Sequence, residues 1–184
     1  MLRSLFRKRV IEQVGDPLYA AVSAQARHPG FYTRMGVADR IDARFELYTL
    51  HALLLILRLR DEDVTPDGQQ TSGPGGEAAQ SLFDAYVSAL DNALRELGVG
   101  DMSMARKMRS LGEALYGRMV AYEAPLRAGD ELALTTLLAR NVHGDETASG
   151  AADLARYAIE ARRLLAGQPF AEVVVKPIWP EVAA

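Results

Sequence analysis

Histidines, clustered carboxylates and glycine-rich turns are the residues of this chain that could do chemistry, and their spacing argues against most of it. His28, His51 and His143 are the candidate metal ligands or proton carriers. None has a second ligand one helical turn away, and Glu46 lies five positions from His51, off its face. His28 and His143 adjoin Pro29 and Gly144, so turns account for them, whereas His51 reads as a core or partner-facing residue. The run GVGD at residues 98–101 lacks the lysine and the preceding strand of a phosphate loop. Asp61, Glu62, Asp63, Asp67 and Gly68 have the wrong spacing for a calcium loop, and no glutamate closes it. No nucleophile elbow or dinucleotide fingerprint is present. The absence of cysteine excludes disulfides and thiolate chemistry and fits a reducing compartment. The chain therefore reads as a non-enzyme with no metal and no cofactor.

What remains is contact chemistry. Residues 31–60, FYTRMGVADRIDARFELYTLHALLLILRLR, carry a compact charged turn into a very apolar helix. No charged residue occurs from 47 to 57. That run is well short of the roughly 20 residues that span a bilayer. Its leucines occupy every side of a helix, so it must be either a central core element or a surface kept for a partner. Methionines Met102, Met104, Met108 and Met119 gather in or beside one later helix, and methionine adapts to irregular partners as well as to cores. Arg106, Lys107 and Arg109 occupy the first turns of that helix, where positive charge opposes the helix dipole by about 0.3–1 kcal/mol each. Docking to an acidic partner would explain them. Arg44 with Glu46, and Arg95 with Asp91 and Glu96, read as surface ion pairs or as a charged rim that orients a partner.

The 184 residues are 49% hydrophobic and 24% charged, with a net charge of −3. This is an ordinary globular composition with no overall pull toward nucleic acid or anionic lipid. The length suits one domain, and a domain of this size buries about 70% of its unfolded surface. The opening MLRSLFRKRV has basic residues but no apolar run after them, so it does not read as a signal peptide. Arg3, Arg7, Lys8 and Arg9 with Leu2, Leu5 and Phe6 form a weakly amphipathic segment that could touch an acidic surface such as anionic lipid or ribosomal RNA.

Nearly every segment has helical periodicity, and the predicted fold class is all-α, a single compact multi-helix domain. Residues 8–26 predict two short helices divided at Gly15, with Asp16 as cap and Pro17 in the first turn. His28, Pro29 and Gly30 break the chain, and Asp42 or Ala43 starts the apolar helix. Residues 61–77 are rich in Gly, Pro and polar residues and predict a mobile loop. Over residues 79–97, Leu82, Phe83, Tyr86, Val87, Leu90, Leu94 and Leu97 make one apolar face, and Asp91 pairs with Arg95. Gly98 stops that helix, Asp101 caps the next, and the short connection demands an antiparallel or sharply angled pair. Met104, Met108, Leu111, Leu115, Met119 and Tyr122 line the second member. Asp130 caps a helix over 131–142, and Ser149 or Gly150 begins one that runs to Leu165. The tail, with Pro177 and Pro180, predicts an extended segment that packs Trp179 on the helices.

Four motifs in order, FYTRMGVADRIDARFELYTLHALLLILRL, LFDAYVSALDNALRELGVGDMSMARKMR, YGRMVAY and LARNVHG, resemble the ubiquinol-cytochrome c chaperone family. The resemblance runs over residues 31–144, with the final helix less distinctive. The family tends to carry glycine before the Arg-Phe-Glu run, where this chain has Ala43. The resemblance implies an all-helical protein without enzymatic activity. It implies a nascent or unassembled cytochrome b as client, engaged during assembly of ubiquinol-cytochrome c reductase. It further implies a small partner protein, contact with the ribosome, and a cytoplasmic location at the inner face of the membrane with peripheral membrane contact.

Burial of apolar area at about 25 cal/mol per Å² could hold a client helix in an exposed groove. The predicted groove is lined by Leu47, Leu50, Leu54 and Leu57 with Phe45, Tyr48 and His51, and rimmed by Arg44, Glu46, Arg106, Lys107 and Arg109. On that reading Leu54→Glu abolishes client binding in a folded protein; if the variant unfolds, the groove lies elsewhere. Two alternatives stand beside it: a carrier of lipid, quinone or haem, with His51 suited to haem, and an adaptor for another soluble protein. No sequence-specific nucleic-acid contact is expected.

Overall fold

The computed structural model describes residues 14–183. The basic segment around Arg3, Arg7, Lys8 and Arg9, and the first of the two short helices predicted over 8–26, lie outside the described residues. The described chain is all-helical: α1 (Gly15–Ala26), α2 (Pro29–Thr33), α3 (Ile41–Asp61), α4 (Pro74–Glu96), α5 (Asp101–Ala128), α6 (Glu131–Leu138), α7 (Gly150–Ala166) and α8 (Phe170–Val173). A π-helical turn, Ala139–His143, continues α6.

The apolar helix is the axis of the molecule. Every residue from Thr49 to Leu59 is buried, and α1, α4, α5, α7 and the π-helical turn all pack against it. A helix that is apolar on all sides has to be enclosed, and α3 achieves this with Leu50, Leu54, Leu55 and Leu59 at 0% exposure. Its buried polar residues are each answered. Thr49 and Tyr86 share a hydrogen bond of 2.7 Å. Arg58 donates to the carbonyls of Leu165 and Gln168, at 3.0 and 2.8 Å, closing the C-terminal end of α7. Glu46 is buried, and Arg118 grips its carboxylate in a bidentate pair at 2.9 and 2.7 Å.

Several local expectations change. The helix predicted from residue 79 begins at Pro74, because proline suits the first helical position. Asp63 then accepts from Gly75 N at 3.2 Å and Gly76 N at 2.6 Å, holding the new N-terminus. The segment predicted as a mobile loop over 61–77 is thus shortened, and it is tied down by Thr71 N to Asp63 O at 2.8 Å and Thr65 N to Gln69 O at 2.9 Å. Gly75 is required there, since a Cβ would collide with the Leu59 carbonyl oxygen. Asp16 lies in the first turn of α1, whose N-cap is Val14, and Gly100 rather than Asp101 is the N-cap of α5. Residues 29–33 turn as α2, with His28 Nδ1 accepting from Gly30 N at 3.2 Å. The Asp130 cap forms as predicted, accepting from Ala133 N at 3.0 Å. The tail contains α8 and then runs extended. Gln168 clamps it, donating to Ile178 O at 2.9 Å and accepting from Ile178 N at 2.8 Å.

The enclosure of α3 sets the outcome for Leu54. A glutamate there would be an unpaired buried charge in a cavity shaped for an aliphatic chain, costing several kcal/mol against a typical total of about 5–15. Leu54→Glu is therefore expected to unfold the protein, seen as loss of the cooperative thermal transition in circular dichroism. A folded variant with a near-normal midpoint would contradict the core position of this helix.

Candidate functional site

The predicted groove along α3 does not form. Leu47, Leu50 and Leu54 are 0% exposed and Leu57 is 4% exposed, because the surrounding helices cover all sides of α3 at once. Of these leucines, only Leu57 reaches a hollow, shared with Leu53, Ile56 and Met119, and its volume is about 10 Å³. That is room for about one water and not for a polypeptide. Phe45 and Tyr48 are half-buried and packed on the core, and Arg27 Nε donates to Tyr48 Oη at 2.7 Å. The predicted rim is also dispersed. Arg44 is exposed and pairs with Asp39, not with Glu46. Glu46 is an interior partner of Arg118. Arg106, Lys107 and Arg109 are exposed on α5 and do not line any cavity found among the described residues. The predicted Asp91–Arg95 pair is present at 2.7 Å.

His51 sits at the centre of a sealed polar chain. Its Nδ1 lies 2.7 Å from the Leu47 carbonyl oxygen, so Nδ1 carries the proton and donates. Nε2 then accepts from Tyr157 Oη at 2.9 Å. Gln25 Nε2 donates to Tyr157 Oη at 3.0 Å. The rings of Phe31, Tyr157 and Trp179 enclose the imidazole, with centroids 5.2, 5.5 and 5.4 Å away. Both ring nitrogens are engaged and no atom of His51 reaches solvent, so the residue is not placed for haem ligation. Burial lowers its pKa from 6.5 to about 4, against the opposing hydrogen bond to Leu47. Among the described residues no group of three or more His, Asp or Glu could hold a metal.

A far roomier hollow lies between α4 and α5. It is an open groove of about 1130 Å³. Ile56 of α3 and Ala79 of α4 form its base, and Phe83, Tyr116 and Met119 supply its apolar walls. Tyr116 is 70% exposed. Gly112 of α5 also lines it, and a Cβ there would meet nothing within 4 Å, so this face of α5 is left unpacked. A glycine inside a helix costs about 0.5–1 kcal/mol relative to alanine, which makes an unpacked one in a groove wall uneconomical for stability alone. The entrance is acidic: Asp16, Glu77 and Asp84 line it, with Arg60 as the single cation among the described residues. All three carboxylates are exposed, and among the described residues none is in an ion pair, Asp84 accepting only from Gln80 Nε2 at 2.7 Å. The signal for this site is present in the predicted apolar faces of the two helices, which include Phe83 and Met119.

Fold and site define an all-helical protein with an open, acid-rimmed apolar groove and a sealed, chemically inert interior. The model of the ubiquinol-cytochrome C chaperone family matches residues 33–179, and the chain belongs to that family. The match continues through α7 to Trp179, beyond the part whose motifs were distinctive in sequence. The chain is also similar to the crystal structure of the Cbp3 homolog from Brucella abortus. The two share 28% identity and a TM-score of 0.81, with coverage of 99% of this chain and 98% of that one. No curated protein matches the chain. Membership of a chaperone family makes it a non-enzymatic assembly factor. No helix among the described residues is long and apolar enough to cross a membrane.

The His51 environment has a measurable consequence. In the unfolded chain the imidazole takes a proton near pH 6.5, and in the folded protein only near pH 4. Between these values the unfolded state binds more protons, so stability is intact above pH 6.5 and falls as pH falls toward 4. The loss by pH 5 is on the order of 2 kcal/mol. Urea unfolding at pH 7 and pH 5 should show this drop, and His51→Gln should reduce it even though its own stability is lower. An unchanged pH dependence in the variant would assign the effect elsewhere.

Proposed function

We propose that this protein holds cytochrome b, newly made or not yet assembled, as a chaperone for assembly of ubiquinol-cytochrome c reductase, and that the α4–α5 groove is where it does so. The family and the similarity to the Cbp3 homolog support the assembly role. The observation that carries the site is the groove itself, an open trough of about 1130 Å³ with Phe83, Tyr116 and Met119 on its walls. A membrane subunit before insertion presents apolar helices that water does not tolerate, and an apolar trough stabilises them by removing area from water. Because the trough is open and partly polar, it suits a polypeptide better than it suits an enclosed lipid or quinone. Arg106, Lys107 and Arg109, exposed on α5, offer a separate basic contact for the small partner protein, the ribosome or the membrane face.

Tyr116 provides the test, because its exposure allows a charge without disturbing the fold. Tyr116→Glu is expected to keep the unfolding free energy within about 0.5 kcal/mol of wild type and to lose most cytochrome b in cross-linking and affinity capture from detergent-solubilised membranes. Undiminished recovery of cytochrome b with this variant would remove the groove from the proposal.

A further inference from the structure

The size and charge of the groove define what part of a client it takes. An α-helix with its side chains is about 10–12 Å across, so about 1130 Å³ encloses roughly two turns of one. A membrane-spanning helix has about 20 residues, so the groove covers only part of one, and its charge decides which part. The two ends of such helices differ chemically. Lys and Arg accumulate beside the end that stays on the side of synthesis, and acidic residues carry no comparable bias.

The entrance of the groove is suited to one of these ends. Asp16 from the first turn of α1, and Glu77 and Asp84 from α4, place three carboxylates along it against Arg60, the single cation there among the described residues. None of these three acids is engaged in an ion pair among the described residues, a state they share with other exposed carboxylates such as Asp42, Glu113 and Glu146, so it is their place beside the trough that sets them apart. Free acids beside an apolar trough select by charge as well as by burial, penalising an acidic segment and steering a basic one.

We infer that the groove binds the junction at which an apolar client helix gives way to its Lys/Arg-rich flank, the apolar turns lying on Phe83, Tyr116 and Met119 and the basic residues at Asp16, Glu77 and Asp84. This rests on the groove being the client site, and it goes beyond that reading by fixing which end of the helix is held. The chaperone then covers the end nearest the side of synthesis and leaves the opposite end leading into the bilayer. Neutralising the acids should abolish the selection while leaving apolar capture in place.

The test uses the full-length protein and three labelled synthetic peptides with the same two-turn apolar core, flanked by Lys-Arg-Lys, by Glu-Glu-Glu, or by Ser-Ser-Ser. Fluorescence anisotropy at low salt should show the basic peptide binding about tenfold or more tightly than the acidic one, with the gap narrowing as salt rises. In the triple variant Asp16→Asn, Glu77→Gln, Asp84→Asn the gap should close to within about twofold, with the serine-flanked peptide bound as in the wild type. Tyr116→Ala, which removes apolar contact without adding charge, should weaken all three. Equal binding of basic and acidic peptides to the wild type, or a preference that survives in the triple variant, overturns the inference. Cytochrome b capture that still depends on Tyr116 would show in that case that the client site itself stands. If a peptide of residues 1–13 displaces the basic probe more tightly than the probe itself binds, or if the protein dimerises and thereby excludes it, the groove belongs to the chain itself and the inference also fails.

Discussion

The architecture depends on one requirement: α3 is apolar around its whole circumference and must be enclosed from every direction. An amphipathic helix can be satisfied by a single neighbour, but this one needs a shell. Helices α1, α4, α5 and α7 and the π-helical turn supply it. Enclosure in turn forces the polar groups of α3 to find partners in the shell. Thr49 bonds Tyr86, His51 bonds Tyr157, Glu46 bonds Arg118, and Arg58 bonds the end of α7. These four contacts link α3 to α4, α7 and α5, so the polar residues set the positions of the shell helices that the leucines only attract. Apolar burial is non-directional, whereas each of these bonds is satisfied at one placement.

The groove is a consequence of how that shell closes. Helices α4 and α5 each give their most buried residues to α3, Leu82 and Tyr86 from one and Leu115 and Tyr122 from the other. Between those anchored faces the two helices leave a trough, lined in part by Gly112, where even a Cβ would meet nothing within 4 Å. The apolar side chains within it, Phe83, Met119 and Tyr116, are partly or largely exposed. A rigid core with an adaptable margin suits a protein that must hold a client and release it. Methionine and tyrosine offer contact area at modest ordering cost, and an unpacked trough can be filled without first displacing native contacts.

A chaperone of this kind works without a reacting centre, and the interior is consistent with that. His51, the most deeply buried candidate for chemistry, is committed to structure. His51 has both nitrogens bonded and its pKa lowered to about 4 by burial, so it is neutral at physiological pH. Tyr86 and Tyr157 are likewise driven well above the usual phenol range by burial. The groove carries exposed acids of its own, Asp16, Glu77 and Asp84, and charge at such a margin governs partner choice and rate of association more than affinity.

The sequence alone determined the helical class, most helix positions, the Asp130 cap, the Asp91–Arg95 pair and, through its motifs, the family. Those follow from periodicity and local chemistry, which act over one or two turns. It also posed the central alternative, that residues 47–57 are either a core or a waiting surface, without resolving it, because a helix face bound for the interior and one kept for a partner carry the same apolar residues. Only the tertiary structure decided between them, since burial depends on how many neighbours converge on a helix. The same non-local arrangement separated Glu46 from Arg44 and gave it to Arg118, 72 positions away. It also brought Asp16, Ile56, Phe83 and Tyr116 from four helices to one groove. Local pattern can say that a side chain seeks cover, but which chain provides that cover is fixed by packing between segments distant in sequence.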